Sequence, residues 1–381
     1  MRHLKFAILS LALLTILMNS AIIPVISHLN AAFPETNPEI IKLTLSLPAL
    51  TNIIFSLVVA KLSYHISKKY LLIFALTLYT FSGISCSFAP TIGWLLAGRA
   101  LLGVGAGMLS PLVTDLIAHF YEGEERTRMI GFANASSNLS GIFIPLLAGW
   151  LAEFNWQYAF WVYGIGFFVL IVAVFFIPVT PLSFNDNAEK HQYSQPRTVW
   201  LVILMNFLVM LIFYTLPTNL SVYVQNEAIG TSSTAGFLVS ISTLVSTLIG
   251  LIFAALYNRF HRQLFLIGMV FCSFGFVMLV FPPSLAALIF SEILIGVGLG
   301  VIFPLFSLTI TQVTSGQQTT TALSMYSSSF SLGIFLSPLF FTLLGNLTGR
   351  TAIRTEFLFA AVIFSILCLF ILFIPGGRAR E

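Results

Sequence analysis

The chain has 381 residues, of which 58% are hydrophobic and 8% charged, with 38 Phe and a formal net charge of +4. A water-soluble domain carries charge at roughly a quarter of its positions, so this composition excludes an aqueous exterior and requires one that faces lipid. Cys86, Cys272 and Cys368 sit in separate apolar runs without zinc or redox spacing and read as small buried hydrophobes. There is no phosphate-cradling loop, metal-ligating cluster or nucleophile–base grouping, so no enzyme, cofactor or metal is expected, and no nucleic acid partner.

A bilayer core about 30 Å thick takes about 20 apolar residues per helix. Runs of that kind lie near 5–25, 41–61, 70–89, 92–118, 129–151, 158–178, 199–221, 233–256, 264–281, 284–312, 320–345 and 357–375. The first looks superficially like a signal peptide, but eleven comparable runs follow it, and it is read as span one. The fold class expected is therefore an all-α membrane protein of twelve transmembrane helices.

Orientation comes from the basic residues. With the N-terminus inside, the cytoplasmic side carries Arg2, Lys5, Lys61, Lys68, Lys69, Arg126, Arg128, Lys190, Arg197, Arg259, Arg262, Arg378 and Arg380. The outer side carries Lys42, Arg350 and Arg354, and Arg99 falls inside a span. This is a strong positive-inside bias, and both termini are expected in the cytoplasm. Trp94, Trp150, Trp156, Trp161 and Trp200 fall at or near span ends, the level an amphipathic ring prefers.

The stretch Pro181 to Arg197 holds two prolines and five Asp, Glu, Lys, Arg or His residues near the midpoint. It is read as a cytoplasmic linker (181–197) between an N-terminal six-helix bundle (1–180) and a C-terminal one (198–381). The halves repeat. Gly-Val-Gly-Ala-Gly-Met-Leu-Ser-Pro-Leu at 103–112 recurs as Gly-Val-Gly-Leu-Gly-Val-Ile-Phe-Pro-Leu at 296–305. Gly-Ile-Phe-Ile-Pro at 141–145 recurs as Gly-Ile-Phe-Leu-Ser-Pro at 333–338, and the loop at 60–69 aligns with 254–263. A constant shift of about half the chain places six spans between copies. That is a parallel repeat, whose substrate site lies between the halves near mid-membrane.

Twelve spans, a central linker and basic loops after spans two and eight resemble the major facilitator superfamily over essentially the whole chain, most closely its twelve-span drug:proton antiporters. The family's loop motif is Gly-x-Leu-x-Asp-Arg-x-Gly-Arg-Lys; here Leu62, Lys68 and Lys69 match, while Ala60, Tyr64 and Ser67 depart from it. The second copy keeps Arg259 and Arg262 with Asn258 in the acidic slot. The family's span-four motif Arg-x-x-x-Gly-x-Gly is met by Arg99, Gly103 and Gly105. The antiporter motif of span five is met in part by Gly141, Pro145 and Gly149.

Arg99 lies about seven residues, roughly 10 Å, below the outer end of its helix. It either snorkels to the surface or, as the family motif implies, serves proton coupling. Glu292 is its repeat mate, four residues ahead of the shared Gly-Val-Gly. The resemblance implies that spans one, four, seven and ten line a central cavity, which would set the two face to face. Desolvation favours a neutral carboxyl and a nearby guanidinium opposes it, so Glu292 is read as a proton carrier tuned by Arg99, or else as half of a static outer ion pair.

Asp115, expected close to Lys68, Lys69 and Arg126, reads with Arg259 and Arg262 as part of a cytoplasmic gate. Glu122, Glu124, Glu125, Arg126 and Arg128 are read as a wet turn. Asn19, Asn52, Asn138, Tyr214, Asn219 and Tyr326 are candidates for the substrate cavity or for hydrogen bonding between helices. Gly103, Gly107, Gly296 and Gly300 form GxxxG pairs for close packing. Gly141, Pro145 and Pro338 are candidate helix bends.

The leading functional expectation is a proton-coupled exporter of small amphipathic molecules. It would be a multi-pass protein of a bacterial cytoplasmic membrane, working as a monomer with protons, substrate and the lipid bilayer as its partners. A sugar-like symporter or uniporter, and a transport-dead sensor or scaffold, are the competing readings.

Overall fold

Backbone polar groups in hydrocarbon must find partners inside their own segment, which a helix provides. The computed structural model describes residues 2–63, 65–179, 195–261, 263–281 and 284–373, and these contain helices and no strand. The linker residues 180–194, Tyr64, Arg262, Arg378 and Arg380 lie outside the described residues.

Eleven of the described helices are long and apolar enough to cross a membrane: His3–Ala32, Pro38–Val59, Lys68–Phe88, Ile92–Phe120, Gly123–Phe154, Trp156–Phe176, Arg197–Asn226, Ser232–Leu251, Gln263–Val280, Leu285–Val313 and Thr321–Thr348. The twelfth apolar run forms the helix Ile353–Phe373. They are called spans one to twelve below. Four of the tryptophans expected at the membrane surface, Trp94, Trp150, Trp161 and Trp200, point outward with half of their area exposed.

Three boundaries differ from expectation, each for a local reason. Span one runs to Ala32, because its helix Arg2–Ser20 passes through a 3₁₀ stretch at Ile23–Val25 and resumes as Ile26–Ala32. Span seven does the same, with helices Arg197–Phe213 and Thr215–Asn226 meeting at Tyr214. Pro24 and Pro217, 193 positions apart, mark the two breaks; a proline inside a helix removes one backbone bond and loosens the turn before it. The expected wet turn at 122–128 is instead the start of span five. Glu124 and Glu125 occupy its first turn, where the helix dipole favours acids, and Arg128 reaches back to Glu124 at 2.7 Å.

The repeat is visible in the ends and lengths of helices. Spans four and ten are both 29 residues, and both start from a hydroxyl cap: Thr91 accepts from the Trp94 N–H at 3.3 Å, Ser284 from the Ala287 N–H at 3.2 Å. Both contain a proline at matching positions, Pro111 and Pro304.

Two compact units result. The first holds spans one to six together with Pro217–Ser240 and Ile334–Leu339; the second holds Gln195–Leu216, Ile241–Gly333 and the chain from Phe340 onward.

Close packing in each unit is set by the repeated glycines. In the first, a Cβ at Gly103 would stand 2.6 Å from Pro48 Cα, and one at Gly107 would stand 2.8 Å from Asn52 Cα, so spans two and four touch backbone to backbone. In the second, Gly296 faces Ser242 and Gly300 faces Ser246, with carbonyl oxygens 2.7 Å from each virtual Cβ, which joins spans eight and ten. Without a hydrophobic drive inside lipid, such contacts and interhelical hydrogen bonds supply the association.

Candidate functional site

The first unit is organised around Arg99, the largest fully buried side chain. This residue is buried with none of its surface exposed, and on the same helix a Cβ at Gly98 would stand 2.8 Å from Cys86 Sγ and one at Gly103 2.6 Å from Pro48 Cα. Its donors are consumed locally: Nε donates to Thr44 O at 2.7 Å, and one Nη donates to Met18 O at 2.8 Å and to Tyr163 Oη at 2.7 Å. The other Nη reaches Asn19 Oδ1 at 3.4 Å. Tyr163 in turn donates to Met18 O at 2.9 Å. One cation thus ties spans one, two and six to span four, and it has no carboxylate partner among the described residues.

In the second unit, the equivalent position holds Glu292, which is 2% exposed. Its carboxyl meets the hydroxyl of Ser242 on span eight. The other oxygen, Oε1, has no hydrogen-bond partner among the described residues. A buried acid with one oxygen uncommitted is costly inside a span.

Two sets of interhelical hydrogen bonds show the same repeat. In the first unit, Ser136 donates to Leu9 O at 2.8 Å and Ser137 to Ala12 O at 2.7 Å, fastening span five to span one. In the second, Asn206 donates to Ser329 Oγ at 2.8 Å and to Tyr326 O at 3.1 Å, fastening span seven to span eleven. Ser136 and Ser329 are repeat mates, 193 positions apart.

The six candidate cavity residues divide between the units. Asn19, Asn52, Asn138 and Asn219 belong to the first, Tyr214 and Tyr326 to the second. Asn19 is engaged by Arg99, Asn52 lies under Gly107, and Asn138 is half-buried. Asn219 is buried just beyond the span-seven break and Tyr214 is buried at it. Tyr326 is half-buried, with its hydroxyl against Ser307.

At the cytoplasmic end, Lys68 Nζ stands 2.6 Å from Asp115 Oδ2, joining span three to span four. Lys69 donates to Val174 O at 2.8 Å and Arg259 is exposed. Of the candidate bends, Pro145 and Pro338 lie inside the helices Gly123–Phe154 and Gly316–Thr348, and Gly141 lies one turn ahead of Pro145.

Sequence reasoning missed Tyr163, Asn206 and Glu356. Asn206 carried a signal, since an amide in an apolar span needs a partner. Glu356 falls just outside the expected span 357–375, whereas the helix begins at Ile353. It is 5% exposed and accepts from Thr215 Oγ1 at 3.0 Å. It is also the repeat mate of Tyr163, the residue that holds Arg99 in the other half.

Comparison with known proteins agrees with this architecture. The family model described as Major Facilitator Superfamily matches residues 8–230 and 202–381. The bacillibactin exporter of Bacillus subtilis (strain 168) is 25% identical over 381 residues, covering 95% of this chain and 94% of that protein. The MFS thioclapurine efflux transporter tcpA of Claviceps purpurea (strain 20.1) is 26% identical over 167 residues, 43% of this chain, and the match spans only 31% of that longer relative. Among solved structures, a bacterial homologue of the human lysosomal transporter Spinster, in an inward-facing and occupied conformation, superposes with a TM-score of 0.78. That alignment has 15% identity and covers 97% of this chain and 95% of the other, a likeness of fold. The protein is a multi-pass membrane protein. Its chain belongs to the major facilitator superfamily.

Proposed function

We propose that the protein exports small amphipathic molecules across a bacterial cytoplasmic membrane in exchange for protons, working as a monomer. The bundles 1–180 and 198–381 would rock about a cavity lined by Asn19, Asn52, Asn138, Tyr214, Asn219 and Tyr326. Glu292 carries the proton, and Arg99, the fixed cation at the equivalent position of the other half, biases its release. Lys68, Lys69, Asp115, Arg259 and Arg262 make up the cytoplasmic gate.

One observation carries this reading: Glu292 is buried in span ten with a single hydroxyl partner and one carboxyl oxygen uncommitted. The charge of such a group responds to water or substrate arriving beside it. The export direction is supported by two relatives, an exporter matched over nearly its whole length and an efflux transporter matched over part. The resemblance to the drug:proton antiporters rests on Arg99, Gly103 and Gly105 of span four and Gly141, Pro145 and Gly149 of span five.

The test uses purified protein in liposomes loaded with a pH-sensitive dye under an imposed proton gradient. Cationic dyes, quinolones, sugars and amino acids are added in turn. Proton flux opposite in direction to a hydrophobic compound is expected, and Glu292→Gln should abolish it while leaving binding of that compound intact. Gradient-driven transport that survives Glu292→Gln would end the coupling assignment. Flux in the same direction as a sugar would establish an importer.

A further inference from the structure

The outer end of span five carries an acid that the transport site does not use. Glu153 Oε1 accepts the backbone N–H of Ser233 at 2.8 Å, and the hydroxyls of Thr231 and Ser233 also bond to its carboxylate. Ser233 stands in the first turn of span eight, Ser232–Leu251. The first four N–H groups of a helix have no partner in the helix itself, and a negative group beside them is favoured by the dipole. Here that group comes from a different span, about 80 residues earlier in the chain. A second span reaches the same turn: His28 Nδ1 of span one lies 2.8 Å from Ser232 Oγ.

The contact continues down the two helices. A Cβ on Gly149 would stand 2.6 Å from Ser232 O, and one on Gly236 would stand 2.9 Å from Pro145 C. Ser240 Oγ donates to Ile142 O at 2.6 Å. Beside this seam, Ser27 and Ser221 hydroxyls meet at 2.6 Å, and Ser221 donates to Pro24 O at 2.8 Å, where the outer pieces of spans one and seven come together. All of these contacts lie within the first unit. Alternating access requires the outer ends of the two halves of the chain to part, and spans five and one belong to one half while spans seven and eight belong to the other.

We infer that Glu153 is an outer latch: by capping the N-terminus of span eight from span five, it holds the outer side closed until the transport cycle breaks the bond. The seam below it includes the close backbone approaches at Gly149 and Gly236 and the Ser240–Ile142 bond. Glu153 is the exposed, charged end of the seam, and it sets how readily the seam opens. This inference needs only alternating access and is independent of the part given to Glu292.

The experiment places a reporter thiol, Ser27→Cys, in a background free of Cys86, Cys272 and Cys368. Labelling from the outside with a membrane-impermeant maleimide is timed in vesicles. A helix cap contributes about 1 kcal/mol, a population factor of about five. Glu153→Ala removes the acceptor, and Ser233→Pro removes the donor N–H at a helix position that tolerates proline. Each is expected to raise the labelling rate about five-fold. The double variant should be no faster than Glu153→Ala alone, since Ser233→Pro removes only bonds that this carboxylate accepts. An unchanged rate in Glu153→Ala would overturn the latch. So would a double variant whose effect is the product of the two singles, the pattern of general loosening.

Discussion

Arg99→Lys keeps the charge in the first unit and removes the fork. The guanidinium offers donors on three nitrogens and uses them on three other spans, with three bonds of 2.7–2.8 Å to Thr44 O, Met18 O and Tyr163 Oη. An ammonium offers its donors from one point and cannot reach carbonyls on spans one and two while holding the phenol on span six. At least two of the three bonds are lost, and their acceptors are left in a site from which water is excluded. A bond from a charged donor contributes about 1.5–3 kcal/mol in a protein interior. Interhelical bonds measured inside membranes average only about 0.6 kcal/mol, because the unfolded chain in lipid also finds partners. Two lost bonds therefore cost between about 1 and about 6 kcal/mol, and the complete burial of Arg99 argues for the middle of that range, about 3 kcal/mol. The assay is reversible unfolding of purified protein in mixed micelles by titration with a denaturing detergent. It is run on the native chain, Arg99→Lys, Tyr163→Phe and the double variant. A coupling energy of at least about 1 kcal/mol between the two positions is expected. A loss below about 0.5 kcal/mol for Arg99→Lys, or additivity of the two changes, would refute the claim that this fork fastens the bundle.

Two other changes probe the ends and the seams. The Lys68–Asp115 pair is short but Asp115 is 43% exposed, so Asp115→Asn should cost under about 1 kcal/mol of stability while slowing transport. The swap Lys68→Asp with Asp115→Lys should restore the rate, and failure to do so would show that the pair is not what the rate depends on. Gly107→Leu drives a side chain into Asn52 and should destabilise by about 3 kcal/mol or more, at the upper end for overpacking. Gly131→Leu, with nothing within 4 Å of its virtual Cβ, should be tolerated; equal unfolding midpoints for the two variants would contradict the backbone contact between spans two and four.

Much of this protein was determined by its sequence alone, because lipid leaves the chain few choices. Twelve apolar runs separated by polar turns become twelve helices, since no other open structure satisfies the backbone in hydrocarbon. The repeat at 103–112 and 296–305, read as letters, becomes the same pair of close helix seams in each unit. Boundaries were less legible where the signal was mixed. The charges at 122–128 looked like a turn, yet acids at a helix start followed by an i,i+4 partner are equally a helix signature. The breaks at Pro24 and Pro217 became visible only when the continuation of both helices beyond them was seen.

What the tertiary structure alone decided is how each polar side chain is spent. The sequence could mark Arg99 as an expensive charge inside a span, but not that two carbonyls and a phenol from three other helices would meet it. It could align Glu292 with Arg99, but not show that one is bonded to three other spans and the other meets a hydroxyl with an oxygen to spare. Hydrogen bonds depend on distances between spans that are far apart in the chain, and helical periodicity carries no information about those distances. For that reason Glu153, an unremarked acid at a helix end, acquires its meaning only when span eight is brought against it.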